Sequence, residues 1–353
     1  MGKAIRTALL GYGFGGSVFH APLIQAVEGL ELVVVHTSRE ASVKERWPHV
    51  KVTSDVTDIW RDPEITLVVI STPNHTHADY IQQAIDAGKH VVVDKPFVVD
   101  FADGERLIRL AKERGVLLSV YQNRRWDGDF RTVRDLITSG KLGAIRYYEA
   151  HYDRFRPQAK PRWKEQSAFG GGTLYDLGAH LIDQALVLFG RPETVTADCR
   201  MQRDNAEGTD YFHLILGYGA LRVQLQSGSF VRKKGAKFIV HGTKASYMKC
   251  GEDPQERALL AGASPYEHGY GEEASVAFGT LHVGEEDEGE RVGTLPGCYH
   301  RFYEQLRDAI RGEGEVPVRA EDALDVIRVI ALAERSSSEG RTVRFEAGEE
   351  SKQ

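Results

Sequence analysis

The sequence predicts an α/β protein in which a doubly wound parallel sheet is followed by a second domain rich in antiparallel strands. Two patterns lead to this fold class. The first third of the chain alternates short apolar runs with amphipathic helical stretches, which is typical of strand–helix–strand units with parallel strands. Beyond about residue 122 the strand patterns are longer and alternate apolar with polar residues, as antiparallel strands with one solvated face do. The length of 353 residues is also sufficient for two domains of ordinary size.

Six strands and several helices are predicted in the first domain. The apolar runs that predict strands are residues 4–10, 31–37, 51–53, 66–71, 90–94 and 116–120. The amphipathic stretches that predict helices lie near residues 40–47, 75–87 and 101–114. The run Leu67-Val68-Val69-Ile70 is apolar without alternation, which indicates a strand covered on both faces.

The second domain is predicted to combine a meander of strands with helices. Alternating segments that predict strands are residues 146–154, 194–202, 211–217 and 221–230, with Gly217-Tyr218-Gly219 as a turn. Helical patterns occur before Gly140 and at residues 173–189, 299–311 and 321–338. Residues 250–296, rich in Gly and Glu, show weak periodicity and are expected to form long loops. We therefore expect one domain at residues 1–122 and the other at residues 123–353.

Composition excludes several classes of partner. The net charge of −6 offers no positive surface for nucleic acid or an anionic membrane. No apolar run approaches the roughly 18–20 residues that span a bilayer. Cys199, Cys250 and Cys298 are odd in number and far apart, so they suit neither a disulfide framework nor a metal knuckle. Because the N-terminus shows no secretory signal pattern, we expect a cytoplasmic protein.

A glycine-rich motif follows the first predicted strand. Gly11-Tyr12-Gly13-Phe14-Gly15-Gly16 fits G-x-G-x-x-G. In this motif the first glycine allows the turn, the second lets a pyrophosphate approach the backbone, and the third lets strand and helix pack closely. Its position after the opening strand of a βα alternation favours a dinucleotide site over a chance match. Pro22 interrupts the helical pattern that follows, so we expect a kink or a late start of the helix.

The end of the second predicted strand indicates which dinucleotide binds. An NAD site usually carries Asp or Glu there, to bind the ribose 2′-hydroxyl. Here the strand runs into Thr37-Ser38-Arg39, and Glu40 comes only after the arginine. Ser38 can donate to a phosphate oxygen and Arg39 can bind a 2′-phosphate, so NADP is favoured over NAD. In the alternative, Arg39 is an exposed loop residue and the cofactor is selected elsewhere.

Polar residues follow the fourth and fifth strands, at the sheet edge where ligands of parallel sheets bind. They are Ser71-Thr72-Pro73-Asn74-His75-Thr76-His77 and Asp94-Lys95-Pro96-Phe97. Lys95 follows an apolar run and is a candidate for proton handling. The alternative for Lys95 is a strand-end lysine that reaches solvent. His75 and His77 lack acidic or cysteine partners at ligand spacing, so we expect no metal.

A glycine run in the second domain precedes a predicted helix with a polar stripe. After Gly170-Gly171-Gly172, the side chains of Asp176, His180 and Asp183 fall within one narrow stripe at about 100° per residue. A spacing of four residues lets a carboxylate orient an imidazole, which makes a workable general acid and base. The alternative is an ordinary solvated helix face.

Taken together, these motifs resemble the Gfo/Idh/MocA family of dinucleotide oxidoreductases over nearly the whole chain. The matching segments are GYGFGG at residues 11–16, Thr72-Pro73-Asn74 with His77, and residues 87–96, 170–180 and 339–343. The usual Glu-Lys-Pro triplet of the family is Asp94-Lys95-Pro96 here, one methylene shorter. Within the family, residues 11–22, 94–97 and 153–157 are most similar to NADP-type scyllo-inositol dehydrogenases.

The resemblance implies a Rossmann domain joined to an α+β domain with a large, open, mainly antiparallel sheet, which commonly mediates homodimers or homotetramers. It implies catalytic roles for Lys95, Asp176 and His180. The predicted cofactor contacts are Gly11, Tyr12, Gly13, Phe14, Gly16, Ser38, Arg39, Ser71, Thr72, Pro73, Asn74, His77, Asp94 and Lys95. Candidate substrate contacts are Asn123, Arg124, Trp126, Tyr152, Arg154, Trp163, Tyr299 and His300.

The expected activity is transfer of a hydride between NADP and a ring carbinol or ketone of a cyclic polyol of the scyllo-inositol type, or of a sugar. Biliverdin, sugar and anhydrosugar reductases share the scaffold, so the fold does not fix the substrate. A second hypothesis is a non-catalytic NADP sensor, which would have no need for all three catalytic residues. A third is a glycosidase of the same family that oxidises its sugar transiently.

Overall fold

The computed structural model describes residues 3–160, 163–285 and 288–346, which form two compact units. The first unit comprises the chain up to Asp127, Pro254–Glu272 and Pro296–Leu324. The second comprises Gly128–Asp253, Glu273–Leu295 and the chain from Asp325 onward. The chain thus returns twice to its first unit, and nothing in the sequence pattern signals these returns. The functional division near residue 122 stays a prediction.

A six-stranded parallel sheet forms the centre of the first unit. Its strands are β1 (Ile5–Leu10), β2 (Leu30–His36), β3 (Lys51–Thr53), β4 (Leu67–Ile70), β5 (His90–Asp94) and β6 (Leu118–Tyr121). Their order is β3-β2-β1-β4-β5-β6, and every neighbouring pair is parallel. This confirms the predicted doubly wound sheet. In such an order the strand sequence reverses between β1 and β4, and ligands bind at the carboxyl ends of the strands there.

A nine-stranded sheet forms the centre of the second unit. Its strands are β7 (Ile145–His151), β8 (Thr194–Arg200), β9 (Tyr211–Tyr218), β10 (Leu221–Gly228), β11 (Ala236–Gly242), β12 (Ser246–Cys250), β13 (Gly279–His282), β14 (Glu290–Val292) and β15 (Val343–Arg344). The order is β14-β13-β12-β11-β7-β10-β9-β8-β15. All pairs are antiparallel except β7 with β10. The mainly antiparallel second sheet is therefore confirmed.

The described residues also form ten α-helices. They are α1 (Ala21–Ala26), α2 (Glu40–Arg46), α3 (Thr57–Arg61), α4 (His77–Asp86), α5 (Phe101–Arg114), α6 (Gly128–Thr138), α7 (Ala179–Phe189), α8 (Gln255–Leu260), α9 (His300–Ile310) and α10 (Ala320–Glu339). Among them none has the length and apolar character needed to cross a membrane.

Burial follows the sequence pattern in both sheets. All four residues of β4 are fully buried, as expected for a parallel strand with helices on both faces. In β9 the fully buried residues Phe212, Leu214 and Leu216 alternate with half-buried ones, so this strand covers the core on one face. The apolar runs and the alternating runs therefore form the sheets that they predict.

The helix starts and the segment at residues 250–296 compare with the sequence-based expectation as follows: one helix start agrees, and the other two features differ. The α-helix after the glycine motif starts late, as expected, because Gly15–His20 form a wider π-helical turn and Pro22 lies in the first turn of α1. A second π-helical turn, Leu174–Gly178, precedes α7 where one continuous helix was expected. The expectation of long loops at residues 250–296 is wrong in part, because α8, β13 and β14 form there.

We expect Gly11→Ala to destabilise the first unit more than Gly88→Ala does. Both glycines have a positive φ (92° and 69°), which costs roughly 1–2 kcal/mol for an L-residue. At Gly11 a Cβ would also lie 2.3 Å from the Ser71 carbonyl oxygen, whereas at Gly88 it meets no atom within 4 Å. The overlap adds about 1–3 kcal/mol. Urea unfolding of the two variants measures the difference, and equal losses would contradict the close approach.

Candidate active site

The glycine turn connects β1 to the helical segment that follows it. At Gly16 a Cβ would lie 2.2 Å from the carbonyl oxygen of Gly11, so the third glycine is required by the fold of the turn itself. At Gly13 a Cβ would meet nothing within 4 Å, so the backbone there faces open space. That opening at the second glycine fits a dinucleotide, because the pyrophosphate approaches the backbone at this position of the motif.

The two aromatic residues of the glycine turn differ in exposure. Tyr12 is buried, and burial raises the pKa of its hydroxyl although Trp47 and Arg46 oppose the shift. Phe14 remains 51% exposed, with its ring 5.7 Å from that of Phe19. Of the two predicted contacts, Phe14 is thus the side chain that can offer a surface to a ligand.

Arg39 and Ser38 are exposed at the end of β2. The guanidinium of Arg39 lies 3.4 Å from the carbonyl oxygen of Tyr12, and its backbone N–H donates to the Thr37 hydroxyl at 3.1 Å. The arginine is therefore anchored beside the glycine turn. It presents a positive charge where an NAD site would carry a carboxylate.

His77 connects the segments that follow β4 and β5. Its ring is fully buried, with Nδ1 2.9 Å from the carbonyl oxygen of Pro96 and Nε2 3.1 Å from that of Thr72. Burial lowers the pKa of His77, although the charge of Asp94 opposes this shift. The lowered pKa favours the neutral ring. Asn74 is buried in the same segment, at the start of a short 3₁₀ turn. Both predicted cofactor residues are thus held rigidly at this edge of the sheet.

The carboxylate of Asp94 lies between the segments that follow β1, β4 and β5. It accepts from the backbone N–H of Lys95 at 2.9 Å and from the Ser71 hydroxyl at 3.2 Å. At Gly15 a Cβ would lie 2.6 Å from both Asp94 Oδ2 and Ser71 Oγ, so only glycine fits there. Burial alone would raise the pKa of Asp94, but His20, Lys95 and His77 outweigh it and hold the pKa at about 2. The Lys95 side chain that follows is half-buried.

Sequence reasoning missed two residues of the first unit, His20 and Tyr303. His20 is fully buried, with Nδ1 2.6 Å from the Tyr303 hydroxyl and Nε2 3.6 Å from Asp94 Oδ2. The signal available in the sequence was a histidine at an inward position of the apolar stretch around Val18 and Ala21. Tyr303 gave no comparable signal, since it lies in an ordinary amphipathic helix.

In the second unit the predicted acid–base residues follow a tight glycine turn. A Cβ at Gly172, whose φ is 90°, would lie 2.8 Å from the carbonyl oxygen of Thr209. The carbonyl oxygen of Gly172 accepts from the backbone N–H of Asp176 at 3.0 Å, and the π-helical turn Leu174–Gly178 follows. Asp176 is half-buried on that turn, while His180 and Asp183 are buried on α7. The alternative of a solvated helix face is therefore excluded for His180 and Asp183.

Asp176 borders a cleft lined by charged residues of both signs. The other residues of the lining that carry charge are Arg154, Arg156, Lys164, Glu165 and Arg203. Arg154 is ion-paired with Glu252 at 2.7 Å, and its guanidinium lies 4.5 Å from the ring centre of the buried Tyr152. Arg203 is buried and bridges Asp210 and Glu165. Asp176, Arg154 and Tyr152 are the residues of this group that the sequence predicts to take part in the site.

The remaining predicted substrate residues occupy varied environments. Asn123 and Arg124 are buried in the 3₁₀ turn Asn123–Trp126, and the Trp126 ring packs on Phe302 at 5.6 Å. Tyr299 is fully enclosed, and its hydroxyl donates to Asp127 at 2.7 Å, which is a packing role.

Two further predicted residues keep some accessible surface. The ring of His300 lies 4.9 Å from that of Tyr266. Trp163 is half-buried, with the Lys164 ammonium 5.5 Å from its ring centre. The substrate contacts as a set stay a prediction.

Comparison with known proteins identifies both halves of the chain. Residues 5–122 match the oxidoreductase family domain described as an NAD-binding Rossmann fold, and residues 134–345 match the C-terminal alpha/beta domain of the same family. The chain is 45% identical to the uncharacterized oxidoreductase YdgJ of Escherichia coli K12, over 97% of this chain and 99% of that protein. It is 43% identical to the scyllo-inositol 2-dehydrogenase (NADP(+)) IolW of Bacillus subtilis, over 97% and 96%.

Solved structures agree with these relatives. The structure of yvaA from Bacillus subtilis superposes with a TM-score of 0.94 at 42% identity, covering 98% of this chain and 99% of that one. YPO2259 from Yersinia pestis gives a TM-score of 0.93 at 43% identity, with 99% of both chains covered. The chain therefore belongs to the Gfo/Idh/MocA family of NAD(P)-dependent oxidoreductases and carries both domains of that family.

Proposed function

We propose that this chain is an NADP-dependent dehydrogenase acting on CH–OH groups, which transfers a hydride between nicotinamide and a ring carbinol or ketone of a cyclic polyol. Scyllo-inositol is the leading substrate, and sugars are the next class. The observation that carries the redox assignment is the glycine turn, which is open at Gly13 and bordered by Arg39. The substrate class is supported by the similarity to IolW over 97% of this chain.

The preference for NADP rests on charge at the end of β2. The side chains of Ser38 and Arg39 are exposed there, and the guanidinium is anchored at the Tyr12 carbonyl. A guanidinium can pair with a phosphate through two hydrogen bonds, whereas a ribose 2′-hydroxyl gains little from it. The backbone of residues 11–16, with Ser38, Arg39 and Asn74, would hold the cofactor.

The proposed chemistry assigns one task to each catalytic residue. NADP, when bound, supplies the acceptor of the hydride, and its reduced form supplies the donor in the reverse direction. His180 takes the proton of the substrate hydroxyl, and the Lys95 ammonium stabilises the negative charge that develops on its oxygen. Asp176 keeps the imidazole in the useful tautomer. Ketone reduction uses the same groups in reverse.

Our proposals for location and assembly are the expectations drawn from the sequence. We propose a cytoplasmic homodimer or homotetramer, as the family resemblance implies. Cys199, Cys250 and Cys298 form no disulfide bond, which suits a reducing compartment.

A screen of inositols and hexoses with NADP and with NAD tests the proposed activity. We expect scyllo-inositol with NADP to give the highest kcat/KM, measured from the absorbance of the reduced nicotinamide. Tight NADPH binding without turnover of any polyol or sugar would favour the sensor hypothesis instead. Release of aglycone from an aryl glycoside without net cofactor reduction would mark glycosidase chemistry.

Lys95→Ala should lower kcat by about 10²–10⁴-fold, because the charge that stabilises the developing alkoxide is lost. Binding of NADPH, measured by its fluorescence, should change by less than a factor of about two, within the scatter of surface substitutions. Lys112→Ala, at an exposed lysine of α5 paired with Glu321, is the matched control and should keep normal kcat. Weakened NADPH binding at an unchanged kcat would contradict the role of Lys95.

Arg39→Ala should raise the KM for NADP about tenfold, as expected for the loss of one charge-assisted contact of roughly 1.5 kcal/mol. The KM for NAD should stay the same, because NAD lacks the 2′-phosphate. The exposed Arg61 of α3 provides the control variant Arg61→Ala, which should affect neither value. If the ratio of the two KM values is unchanged in Arg39→Ala, Arg39 is an ordinary surface residue.

A further inference from the structure

A fully buried imidazole lies behind the carboxylate that precedes Lys95. His20 belongs to the π-helical turn after the glycine turn and has no exposed surface. On one side its Nδ1 lies 2.6 Å from the hydroxyl of Tyr303, on α9. On the other side its Nε2 faces Asp94 Oδ2 at 3.6 Å, just beyond hydrogen-bond distance. Within the described residues Nε2 has no hydrogen-bond partner, although it is aimed at an anion.

The surroundings assign the proton of the imidazole to Nε2. A bare lone pair facing a carboxylate would be repelled, so Nε2 carries the hydrogen and Nδ1 accepts. With the hydrogen on Nε2, Nδ1 accepts from the Tyr303 hydroxyl, whose pKa burial and the Asp94 charge raise well above its ordinary value. The ring of Tyr121, 4.5 Å from that of His20, closes the remaining side. The imidazole is thus held in one orientation.

The carboxylate of Asp94 is fixed from several directions. The Lys95 N–H, the Ser71 hydroxyl and the space left by Gly15 surround it, and a quarter of its side-chain surface stays exposed. The titratable and charged groups that act on it are His20, Lys95 and His77, while Tyr121 and Tyr303 feel its charge. Of the groups that favour its ionised form, His20 is the one whose ring nitrogen faces Oδ2, at 3.6 Å.

We propose that His20, held by Tyr303, is a positioning residue that points an N–H at Asp94 and so fixes an ionised carboxylate next to Lys95. This inference rests on the proposed function, in which Lys95 acts on the substrate. His20 itself touches no reacting atom and acts through Asp94.

The first experiment follows the Asp94 carboxyl by ¹³C NMR in the protein without cofactor or substrate. In the native chain the pKa is about 2, so the signal should not titrate between pH 4 and pH 7. In His20→Phe the burial remains while the imidazole that faces the carboxylate is lost, so the signal should titrate within that range. Asp94→Asn identifies the signal, and circular dichroism checks folding.

The second experiment records the pH dependence of kcat. In His20→Phe we expect an acidic limb that falls about tenfold per pH unit below the raised pKa, with normal NADPH binding near pH 8. His20→Gln retains an N–H donor, so most of the acidic limb seen in His20→Phe should be absent from its profile. The matched control is His90→Gln, at a half-buried histidine of β5 that accepts from the Leu117 N–H and should leave the profile unchanged.

The two experiments separate the possible failures. A folded His20→Phe whose Asp94 signal stays flat between pH 4 and pH 7 would overturn the positioning role. If that variant does not fold, the same titration is recorded for Tyr303→Phe. This change removes the hydroxyl that holds the His20 imidazole and nearly preserves the side-chain volume. Absence of turnover in the native chain would refute the proposed function, and the carboxyl titration would still decide this inference.

Discussion

The first unit depends on the close approach of the glycine turn to the ends of β4 and β5. Three glycines permit it: Gly11 under the Ser71 carbonyl, Gly15 against Ser71 and Asp94, and Gly16 against the carbonyl of Gly11. A side chain at any of the three would push backbone or carboxylate away. The glycine turn therefore has two effects. It leaves open space at Gly13, and it lets the Asp94 carboxylate lie against Gly15, where the π-helical turn begins. One packing constraint thus produces both the open space at Gly13 and the position of the Asp94 carboxylate.

Much of this could be predicted from the sequence, because the relevant signals are local. Unbroken apolar runs such as Leu67–Ile70 identify buried parallel strands, and alternation identifies β9. The glycine motif, the missing carboxylate near Arg39 and the polar strand ends mark the sheet edge that carries the site. Each of these features depends on residues close together in the chain.

What could not be predicted depends on contacts between distant residues. The imidazole of His20 and the hydroxyl of Tyr303 are 283 positions apart, and no periodicity links them. The two π-helical turns, Gly15–His20 and Leu174–Gly178, were not predicted either, because the apolar periodicity of the sequence does not separate a π-helical turn from an α-helix. The burial of Asp183 likewise follows from the packing of α7 and not from its own residue type.

The return of α9 to the first unit has a consequence for how the protein is made. Tyr121, at the end of the parallel sheet, is covered by Phe302 and Tyr303, with ring centres 4.9 and 5.8 Å away. A nascent chain that has just completed β6 lacks this cover, and its aromatic core stays open to water. The nucleotide-binding half is therefore translated first, but its core is covered only after α9 has been synthesised, near the end of the chain.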